Sequence, residues 1–551
     1  MNDTDQKLAE LRRKEEEELA MILSKKYGIE YRDLTRTSIN VDALQVVPEK
    51  EAREAEVAGF DLTGSKLSLA VRSPAQPKLA SLHEELEKKG YAVTEFMVSR
   101  DSLERAWEHY KDLTLAVSTK RGVIDVSPEE LKKAIANIRS VDDIRHSIEV
   151  VSGMQHVYRI SKILEVILAG AFAVGASDIH IEPEDKSVRL RYRLDGVLND
   201  ITNFDPETHK LLLSRLKLLS GLKLNVRDAS QDGRFSIVLD DAQIEVRTSV
   251  IPGSNGETVV MRLLNPDSIA VSLSELGMEP KLRALVEREI RNPNGMLLNT
   301  GPTGSGKTTT LYACMREINS SEVKIITIED PVEYHLAGVV QTQVEKNYTF
   351  LQGLRSALRQ DPDVIMVGEI RDEEVAKTAI DAALTGHFVF STLHTNNAAG
   401  TFPRLGDLGV DPKVFGSAIN VAMAQRLVRK LCDACKKKVP LEGKEKELVE
   451  KTITGLRDTS QVPKDISSVY EPVGCSVCHN TGFKGRIGVF EAIVVDAAMG
   501  ELLRTLPSEH DIQKIQATKD LLTMSEDGVL KVLSGVTSFY ELNRVVLVGE
   551  D

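Results

Sequence analysis

No part of the chain is apolar over the roughly 18 consecutive residues that a membrane-spanning helix needs. The first 20 residues are highly charged and lack the apolar core of a secretory signal peptide, so we expect a cytoplasmic protein whose membrane contacts are made through partners. Only five cysteines occur in 551 residues, too few for a disulfide scaffold. Aromatic residues make up 5% of the chain and the net charge is −13, which does not favour a nucleic-acid partner.

Composition and length otherwise describe an ordinary globular protein. Hydrophobic residues make up 42% of the chain and charged residues 28%, the usual balance for chains that fold around apolar cores. At about 150 residues per domain, the length corresponds to three or four domains. Changes of pattern along the chain predict a small α/β docking domain at 1–118, a polar helical linker at 119–150, a sheet-rich domain at 151–268 and a final domain at 272–551.

Two kinds of strand pattern distinguish the last two domains. Between Val188 and Leu194, apolar residues alternate with arginines, which predicts a half-buried strand, and Asp195-Gly196 supplies a hairpin turn. After residue 272, short apolar strands such as Met296–Leu298 and Val364–Val367 alternate with helical stretches. This second pattern predicts a parallel sheet with crossover helices, which binds ligands at the carboxyl ends of its strands.

A phosphate-binding loop is the most specific motif in the chain. The sequence GPTGSGKTT fits the pattern G-x-x-x-x-G-K-T, with an apolar strand before it and a helical stretch after it. In such loops the glycines let backbone N–H groups surround the phosphates of ATP, the lysine reaches the β- and γ-phosphates, and the threonine hydroxyl (here Thr308) binds Mg²⁺. The alternative, a Gly-rich turn formed by chance, does not account for the complete motif in this context. The predicted ATP-binding residues are Gly301, Pro302, Thr303, Gly304, Ser305, Gly306, Lys307, Thr308 and Thr309.

Acidic residues and histidines follow the later strands. Glu333 lies in TIEDPVEY, Glu369 ends the apolar run VIMVGE, and His387 and His394 flank a strand in TGHFVFSTLHTN. Hydrolysis of a phosphoanhydride needs Mg²⁺, a positioned water and cations. We predict that Glu369 holds the metal or its waters, that Glu333 orients or deprotonates the attacking water, and that His394 donates a hydrogen bond near the γ-phosphate. Each acid could instead be a solvated carboxylate or a helix cap, and either histidine could be structural.

Two cysteine pairs predict a metal site. Cys432-x-x-Cys435 and Cys475-x-x-Cys478 have the spacing of a tetrahedral Cys₄ zinc site. Four thiolates leave no open position for water, so the Zn²⁺ would be structural. A redox-active dithiol is the alternative, but the chain has no thioredoxin-like context. We expect a small helical insert between the pairs, and we expect Cys314 to lie in the core.

The segments GPTGSGKTT, TIEDPVEY, LRQDPDVIMVGEIRD and TGHFVFSTLHTN, in this order, resemble the Walker A, Asp box, Walker B and His box of the secretion ATPase superfamily. Members of that family power type II secretion and type IV pilus machines. The resemblance is strong from residue 150 to 551 and loose over 1–118. It implies an α/β fold with a RecA-like P-loop ATPase core, preceded by a sheet-rich α+β (PAS-like) domain and a small N-terminal α/β domain, with the zinc module inserted at 430–480. The implied activity is Mg-dependent hydrolysis of ATP.

The resemblance also implies subunit contacts and further site residues. Family members form hexamers in which the sheet domain packs on the ATPase core of the next subunit. By motif position, Arg247 and Arg262 of the sheet domain and Arg355 and Arg359 of the core would contact nucleotide phosphates, where guanidinium groups stabilise transition-state charge. Arg355 and Arg359 are four residues apart, on one face of the predicted helix. For each arginine a surface ion pair is the alternative.

The tetracysteine insert makes the chain similar to assembly motors rather than to retraction or conjugation motors. The implied partners are a homo-hexamer and an inner-membrane platform protein or a cytoplasmic adaptor. The sequence does not separate secretion from pilus assembly. Some family members bind cyclic di-GMP through an RLG motif near the start, and because 1–60 contains none, this ligand is not predicted.

Two other functions are weighed against the motor. A nucleic-acid translocase on a RecA-like core would need basic grooves with stacking aromatics, and the acidic balance argues against it. An inactive nucleotide-sensing scaffold is disfavoured because Lys307, Thr308, Glu333 and Glu369 are all present. We therefore predict an ATP-hydrolysing assembly motor with no nucleic-acid partner.

Overall fold

The computed structural model describes residues 16–34, 37, 39, 41–63, 66–88, 90–108, 110, 128–153, 159–239, 242–264 and 271–548. The chain divides into two compact units, Met1–Leu263 and Leu264–Asp551. The boundaries predicted near 118 and 268 lie outside the described residues. The finer division into a docking domain, a linker, a sheet-rich domain and an ATPase domain therefore stays a prediction.

The first unit contains a three-stranded sheet. Strand β1 (Val57–Thr63) pairs antiparallel with β2 (Lys66–Val71), and β2 pairs parallel with β3 (Ala92–Met97). Leu69 of β2 is fully buried, so the sheet has its own apolar core. The helices here are α1 (16–27), α2 (Val41–Val46), α3 (Glu49–Ala55), α4 (Pro77–Lys88) and α5 (Arg100–Glu108).

The first unit also contains a six-stranded sheet. Its strands are β4 (Asp178–Pro183), β5 (Val188–Leu194), β6 (Val197–Phe204), β7 (Gln231–Leu239), β8 (Ala242–Gly253) and β9 (Gly256–Leu264). Their order is β6-β5-β4-β9-β8-β7. The alternation predicted for β5 is present, because its apolar residues are buried and its arginines are partly exposed. Asp195 and Gly196 connect β5 to β6 with φ angles of 47° and 86°, as a tight hairpin turn requires.

The helices that pack on this sheet are α6 (Pro128–Asn137), α7 (Val141–Ser152), α8 (Arg159–Ala173) and α9 (Pro206–Leu219). Helix α6 and most of α7 belong to the segment that was predicted as a linker. Leu131 of α6 and Ile144 and Ile148 of α7 are buried in the same apolar cluster as Tyr192 of β5. Helices α6 and α7 are polar overall, but a few apolar residues recur in them at helical spacing, and these contribute to the core.

The second unit is built on a seven-stranded sheet. Its strands are β10 (Gly295–Thr300), β11 (Ile325–Glu329), β12 (Val340–Gln343), β13 (Val364–Val367), β14 (Phe388–Leu393), β15 (Val421–Leu431) and, after the small pair β16 (Lys437–Pro440) and β17 (Ser468–Glu471), β18 (Phe483–Val494). The order is β12-β11-β13-β14-β10-β15-β18. Strand β18 is antiparallel to β15, and the pairings among the other six strands are parallel.

Helices connect these strands and follow them. They are α10 (Pro280–Glu289), α11 (Lys307–Ile318), α12 (Phe350–Ala357), α13 (Glu373–Leu384), α14 (Thr401–Asp407), α15 (Phe415–Ala418), α16 (Gly443–Gly455), α17 (Ala497–Leu503), α18 (Glu509–Gln516), α19 (Met524–Leu533) and α20 (Phe539–Leu542). In the part of the chain that the structure describes, none of the helices combines the length and the apolar composition that crossing a bilayer requires.

The central strands of the large sheet are covered on both faces. Every residue of β10, β13 and β14 is buried, as is typical of parallel sheets between helices. Met296 and Leu298 belong to one apolar cluster and Leu297 to another, because successive side chains of a strand point to opposite faces. Cys314 of α11 is buried, as predicted, and burial raises the pKa of its thiol to about 12. The predicted α/β fold with a parallel sheet is confirmed.

Strand β18 lies at one edge of this sheet, and side chains bind the backbone groups that point outward from it. An edge strand otherwise presents N–H and C=O groups to which a further strand can pair. The three contacts are Asp527 Oδ2 with the N–H of Phe490 (2.8 Å), Gln516 Nε2 with the carbonyl of Ala492 (2.8 Å) and Lys519 Nζ with the carbonyl of Val494 (2.9 Å).

Candidate functional site

The predicted phosphate-binding loop connects β10 to α11, whose first residue is Lys307. Gly301, Gly304 and Gly306 have φ angles of 148°, 80° and 91°, a conformation that is costly for residues with a Cβ atom. A Cβ atom on Gly301 would lie 2.6 Å from the carbonyl oxygen of Gln425, and one on Gly306 would lie 2.8 Å from Nε2 of Gln425. The first and last glycines are thus required both by the backbone conformation and by the close approach of β15.

The ammonium group of Lys307 lies against its own loop. It donates hydrogen bonds to the carbonyl oxygens of Gly301 (2.7 Å) and Pro302 (3.0 Å). No described residue forms an ion pair with it, so carbonyl groups alone hold this charge. Burial lowers the pKa of Lys307, and the negative charge of Glu369 acts in the opposite direction. Of the other loop residues, Ser305 is buried, Thr308 and Thr309 are partly buried, and Thr303 and Gly304 are exposed.

Glu369 lies two residues beyond the carboxyl end of β13, and its carboxylate oxygens have different partners. Oε1 pairs with the guanidinium of Arg371, and Oε2 lies 3.4 Å from Nε2 of His394. Arg371 also lies 3.7 Å from Asp330. Its hydrogen bond to Glu369 raises the pKa of Arg371. Lys307, Glu369 and His394, three residues with predicted catalytic roles, therefore lie at the same edge of the sheet.

Hydrogen bonds between two threonines connect β10 to the loop after β14 at this edge of the sheet. The hydroxyl groups of Thr300, at the end of β10, and Thr395, after β14, lie 2.7 Å apart. The backbone N–H of Thr395 also donates to the Thr300 hydroxyl at 2.8 Å. The strand that leads into the phosphate-binding loop is thereby bonded to the loop that carries His394.

The two histidines of TGHFVFSTLHTN lie at opposite ends of β14. His394 follows the strand at the carboxyl edge, and His387 precedes it. Nδ1 of His387 lies 3.1 Å from the carbonyl oxygen of Ala382. Of the two interpretations left open for His387, this position favours the structural one.

The segment TIEDPVEY places one acid in the core and another in a loop. Glu329, the last residue of β11, is buried and accepts hydrogen bonds from Thr327 (2.5 Å), Tyr312 and Gln341 (3.2 Å). Burial raises the pKa of Glu329, and the charge of Glu333 contributes to the rise. Glu333 itself is partly buried in the loop after β11, and its role as the base stays a prediction.

The two core arginines with predicted phosphate contacts are both exposed. Arg355 lies in α12, which ends at Ala357, whereas Arg359 lies in the 3₁₀ turn Leu358–Gln360. A 3₁₀ turn has three residues per turn instead of 3.6. The expectation that both arginines lie on one face of a continuous α-helix is therefore wrong, because the α-helix ends between them.

The two arginines of the six-stranded sheet are held by carboxylates. Nε of Arg247 lies 3.2 Å from Oε1 of Glu245. Nε of Arg262 donates to Oδ1 of Asp178 at 2.9 Å, and Oδ2 of Asp178 lies 3.3 Å from Arg193. The strand register explains this cluster, because Asp178 of β4 is paired with Arg262 of β9 on one side and with Arg193 of β5 on the other.

Strand β15 brings two further residues to the loop that no sequence motif identified. Gln425 is buried, and its Oε1 accepts hydrogen bonds from Asn299 (2.9 Å) and Thr310 (2.8 Å). Arg426 donates to the carbonyl oxygens of Gln425 (3.1 Å) and Asn396 (2.6 Å). Both residues are distant from the loop in sequence, and the pairing of β15 with β10 brings them beside it.

The sequence could have identified Arg371 as a site residue, since it lies two residues after Glu369, with which it pairs.

The four paired cysteines form a compact cluster of sulfur atoms. All four Sγ atoms lie within 4.8 Å of one another. Four thiolates bound tetrahedrally at about 2.3 Å from a zinc ion would lie about 3.8 Å apart, so the cluster fits Zn²⁺. Backbone N–H groups of Gly474 and Gly482 donate to two of the sulfur atoms. The measured separations are 3.9 Å for Cys432–Cys475, 3.8 Å for Cys435–Cys478 and 3.7 Å for Cys475–Cys478.

The stretch between the cysteine pairs contains helix α16, as the sequence predicted, and also the two-stranded sheet of β16 and β17, which it did not. The first cysteine, Cys432, directly follows β15. The last, Cys478, lies five residues before β18. The cysteine cluster therefore closes one end of the antiparallel pair formed by β15 and β18.

Comparisons with known proteins agree with this geometry. The family model described as Type II/IV secretion system protein matches residues 155–544, and the MshEN domain model matches 27–117. Type II secretion system protein E of Aeromonas hydrophila is 42% identical over 388 residues, which are 70% of this chain and 75% of the relative. The Type IV pilus assembly ATPase PilB of Myxococcus xanthus is 34% identical over 538 residues, which are 96% of this chain and 91% of the relative.

A solved structure supports the same fold. The ATPase DotB of Legionella pneumophila superposes with a TM-score of 0.51 at 21% identity, covering 69% of this chain and 94% of that one. The family model spans well over half of the chain, and the M. xanthus relative matches nearly all of it. The chain therefore belongs to the Type II/IV secretion system protein family and is one of its ATPases.

Proposed function

We propose that the protein is a motor that hydrolyses ATP to power the assembly of a type IV pilus or of a type II secretion pseudopilus. One observation carries the proposal: Lys307, Glu369 and His394 lie together at the carboxyl edge of a parallel sheet, where the phosphate-binding loop begins. Relatives from both kinds of machine match the chain, so the proposal covers both.

ATP would bind with its phosphates in the loop from Gly301 to Thr309. Backbone N–H groups and Lys307 would neutralise phosphate charge. Thr308 and Glu369 would hold Mg²⁺, which screens the charge of the β- and γ-phosphates when it is bound. Glu333 would orient the attacking water, and His394 would donate a hydrogen bond near the γ-phosphate.

Arginines would supply further positive charge during hydrolysis. Arg355 and Arg359 would act within the same core, and Arg247 and Arg262 would act on the site of a neighbouring subunit. For Arg262 this requires the exchange of the Asp178 carboxylate for a phosphate. The active form would be an oligomer, and the family resemblance implies a homo-hexamer.

The cysteine cluster would hold a structural Zn²⁺ ion through Cys432, Cys435, Cys475 and Cys478. Since all four ligand positions would be protein thiolates, the metal would take no part in hydrolysis. Its role would be to fix the ends of β15 and β18 and the small insert between them.

The motor would act at the cytoplasmic side of the inner membrane through partners. The domain at 1–118 would dock on a platform protein or an adaptor. The acidic composition supports a protein partner rather than a nucleic acid.

Turnover measurements test the chemistry. Lys307→Ala is expected to abolish ATP binding. Glu333→Gln is expected to keep ATP binding and lower turnover by about 10²- to 10⁴-fold, the usual contribution of a general base. Glu322→Gln, at an exposed position, is the control. If Glu333→Gln binds ATP and turns over at the normal rate, the base is another residue.

Co-purification from native membranes tests the biological role. The intact protein is compared with a variant lacking 1–118. Recovery of an integral-membrane platform and pilin-like subunits, lost on truncation, would support the assembly motor and identify its machine. Recovery of nucleic acid without a membrane partner would contradict it.

A further inference from the structure

Arg426 carries a positive charge beside the phosphate-binding loop that no carboxylate neutralises. Its side chain is partly buried, and it makes no ion pair with any residue in the described ranges. Its hydrogen bonds go to two backbone carbonyl groups, those of Gln425 and Asn396. A desolvated cation that only neutral groups hold is destabilising unless an anion compensates for it.

The carboxylate whose negative charge acts on Arg426, that of Glu491, makes its hydrogen bonds elsewhere. Burial lowers the pKa of Arg426, and the charge of Glu491 opposes that effect. Glu491, however, accepts hydrogen bonds from the backbone N–H groups of Ala398 (2.7 Å) and Met524 (3.2 Å). Its carboxylate therefore anchors the loop at Ala398 and the start of α19, and Arg426 still lacks an anionic partner in direct contact.

The guanidinium of Arg426 touches the first residue of the phosphate-binding loop. Its Nη1 atom lies 3.1 Å from the position that a Cβ atom on Gly301 would occupy. It is also close enough to Lys307 for the two charges to repel each other. Lys307 has the same kind of surroundings, since its ammonium also donates to carbonyl groups alone. Two cations from separate elements thus flank one glycine loop.

Another arginine of the same strand, Arg429, has a structural role. Arg429 pairs with the buried carboxylate of Glu541 at 2.6 Å, and its guanidinium lies 4.0 Å from the ring centre of Phe483. Its side chain is 11% exposed. Arg429 therefore has a permanent anionic partner, whereas Arg426, three residues earlier on β15, does not.

We propose that Arg426 is a further nucleotide-binding residue, which contacts the phosphates of ATP or ADP from β15 and releases its hydrogen bond to Asn396 when it does so. The proposal rests on the proposed function, because it requires a nucleotide in the loop. Asn396 lies two residues after His394, so the exchange connects phosphate binding to the loop that carries this histidine. Arg426 adds a contact from within the same chain to those of Arg355 and Arg359.

The test compares Arg426→Gln with Arg429→Gln in the full-length protein. Thermal midpoints are measured without nucleotide and with saturating MgATP or MgADP, and ATP affinity is measured by titration. Arg426→Gln is expected to have an unchanged or higher midpoint without nucleotide, and an ATP affinity about 10- to 100-fold lower, the effect of losing one charge-assisted hydrogen bond. Arg429→Gln is expected to lower the midpoint without nucleotide and to keep the rise that ATP produces. Arg426→Lys should regain part of the lost affinity.

Two results would overturn the proposal. The first is an Arg426→Gln variant whose ATP affinity stays within about twofold of wild type, which is less than a single hydrogen bond to a charged group contributes. The second is an Arg426→Gln variant that behaves like Arg429→Gln, since Arg426 would then be structural. If the wild-type protein itself gains no stability from ATP, both this inference and the proposed function are wrong. Normal ATP binding by wild type and by Arg426→Gln overturns this inference alone.

Discussion

Asp178 accepts a hydrogen bond from Arg262 at 2.9 Å, across the antiparallel pairing of β4 with β9. The side chain of Asp178 is 5% exposed, whereas that of Arg262 is 60% exposed. The guanidinium can therefore move into solvent while the carboxylate stays in the sheet. A buried acid thus fixes the resting position of an arginine that we predict to act on a nucleotide.

We expect Arg262→Ala to lower kcat by about 10³-fold, the lower range for an arginine that stabilises phosphoryl transfer. If Arg262 acts on the neighbouring subunit, mixtures with Lys307→Ala should recover activity, because each variant supplies what the other lacks. The measurement is ATPase activity as a function of the mixing ratio. Arg234→Ala, at a side chain that is 72% exposed, is the matched control. Absence of recovery at every ratio would contradict action between subunits.

Two glycines of the phosphate-binding loop should respond differently to alanine. At Gly301 the new methyl group would overlap the carbonyl oxygen of Gln425, whereas at Gly304 it would enter open space. Gly304→Ala should therefore cost only the strain of a positive φ angle, about 1–2 kcal/mol, and Gly301→Ala should abolish measurable binding. Titration with a fluorescent ATP analogue measures both. Equal losses of affinity in the two variants would mean that the close approach of β15 does not restrict which residue fits at position 301.

Metal analysis should find about one equivalent of zinc per chain after gentle purification, as expected for a Cys₄ site. Cys432→Ser and Cys475→Ser should each lose the metal and make the segment between the cysteine pairs more sensitive to proteolysis. Cys314→Ser, at a buried position remote from the cluster in sequence, should keep it. A zinc content well below one equivalent in the wild-type protein would mean that the cluster is not a zinc site.

Removing one member of the buried ion pair of Asp527 and Lys531 should destabilise the protein more than replacing both members. Lys531 Nζ lies 2.5 Å from Oδ1 of Asp527, and burial raises the pKa of this aspartate while Lys531 opposes the rise. Asp527→Asn leaves an unpaired buried ammonium and should lower the free energy of unfolding by about 3–5 kcal/mol. The double variant Asp527→Asn, Lys531→Met should be more stable than this single variant. Chemical denaturation checks both, and a double variant that is less stable would contradict the argument.

The parts of the protein that the sequence predicted well depend on local patterns. Short apolar strands such as Val364–Val367, and a contiguous glycine loop before a helix, specify their structure within about ten residues. The spacing within the two cysteine pairs likewise indicated a metal site. Each of these signals lies in a short stretch of sequence, although the two cysteine pairs meet only through tertiary contacts.

The features that the sequence did not predict depend on distant contacts. Gln425 and Arg426 belong to no motif, and only the pairing of β15 with β10 places them at the phosphate-binding loop. Helix α6 and most of α7 lie in the stretch predicted as a linker, and a polar segment does not reveal which surface its few apolar residues will contact.

The side chains that cover the outer edge of β18 limit how copies of this protein can associate. Asp527, Gln516 and Lys519 are bonded to outward backbone groups of Phe490, Ala492 and Val494. These groups are not available to pair with a strand of another molecule, which hinders growth into fibres through this edge. Copies of this chain that met at this edge would do so through side-chain surfaces rather than through strand pairing. Such contacts can separate and re-form in each cycle of ATP hydrolysis, whereas a continuous sheet across the subunit boundary would have to be torn apart.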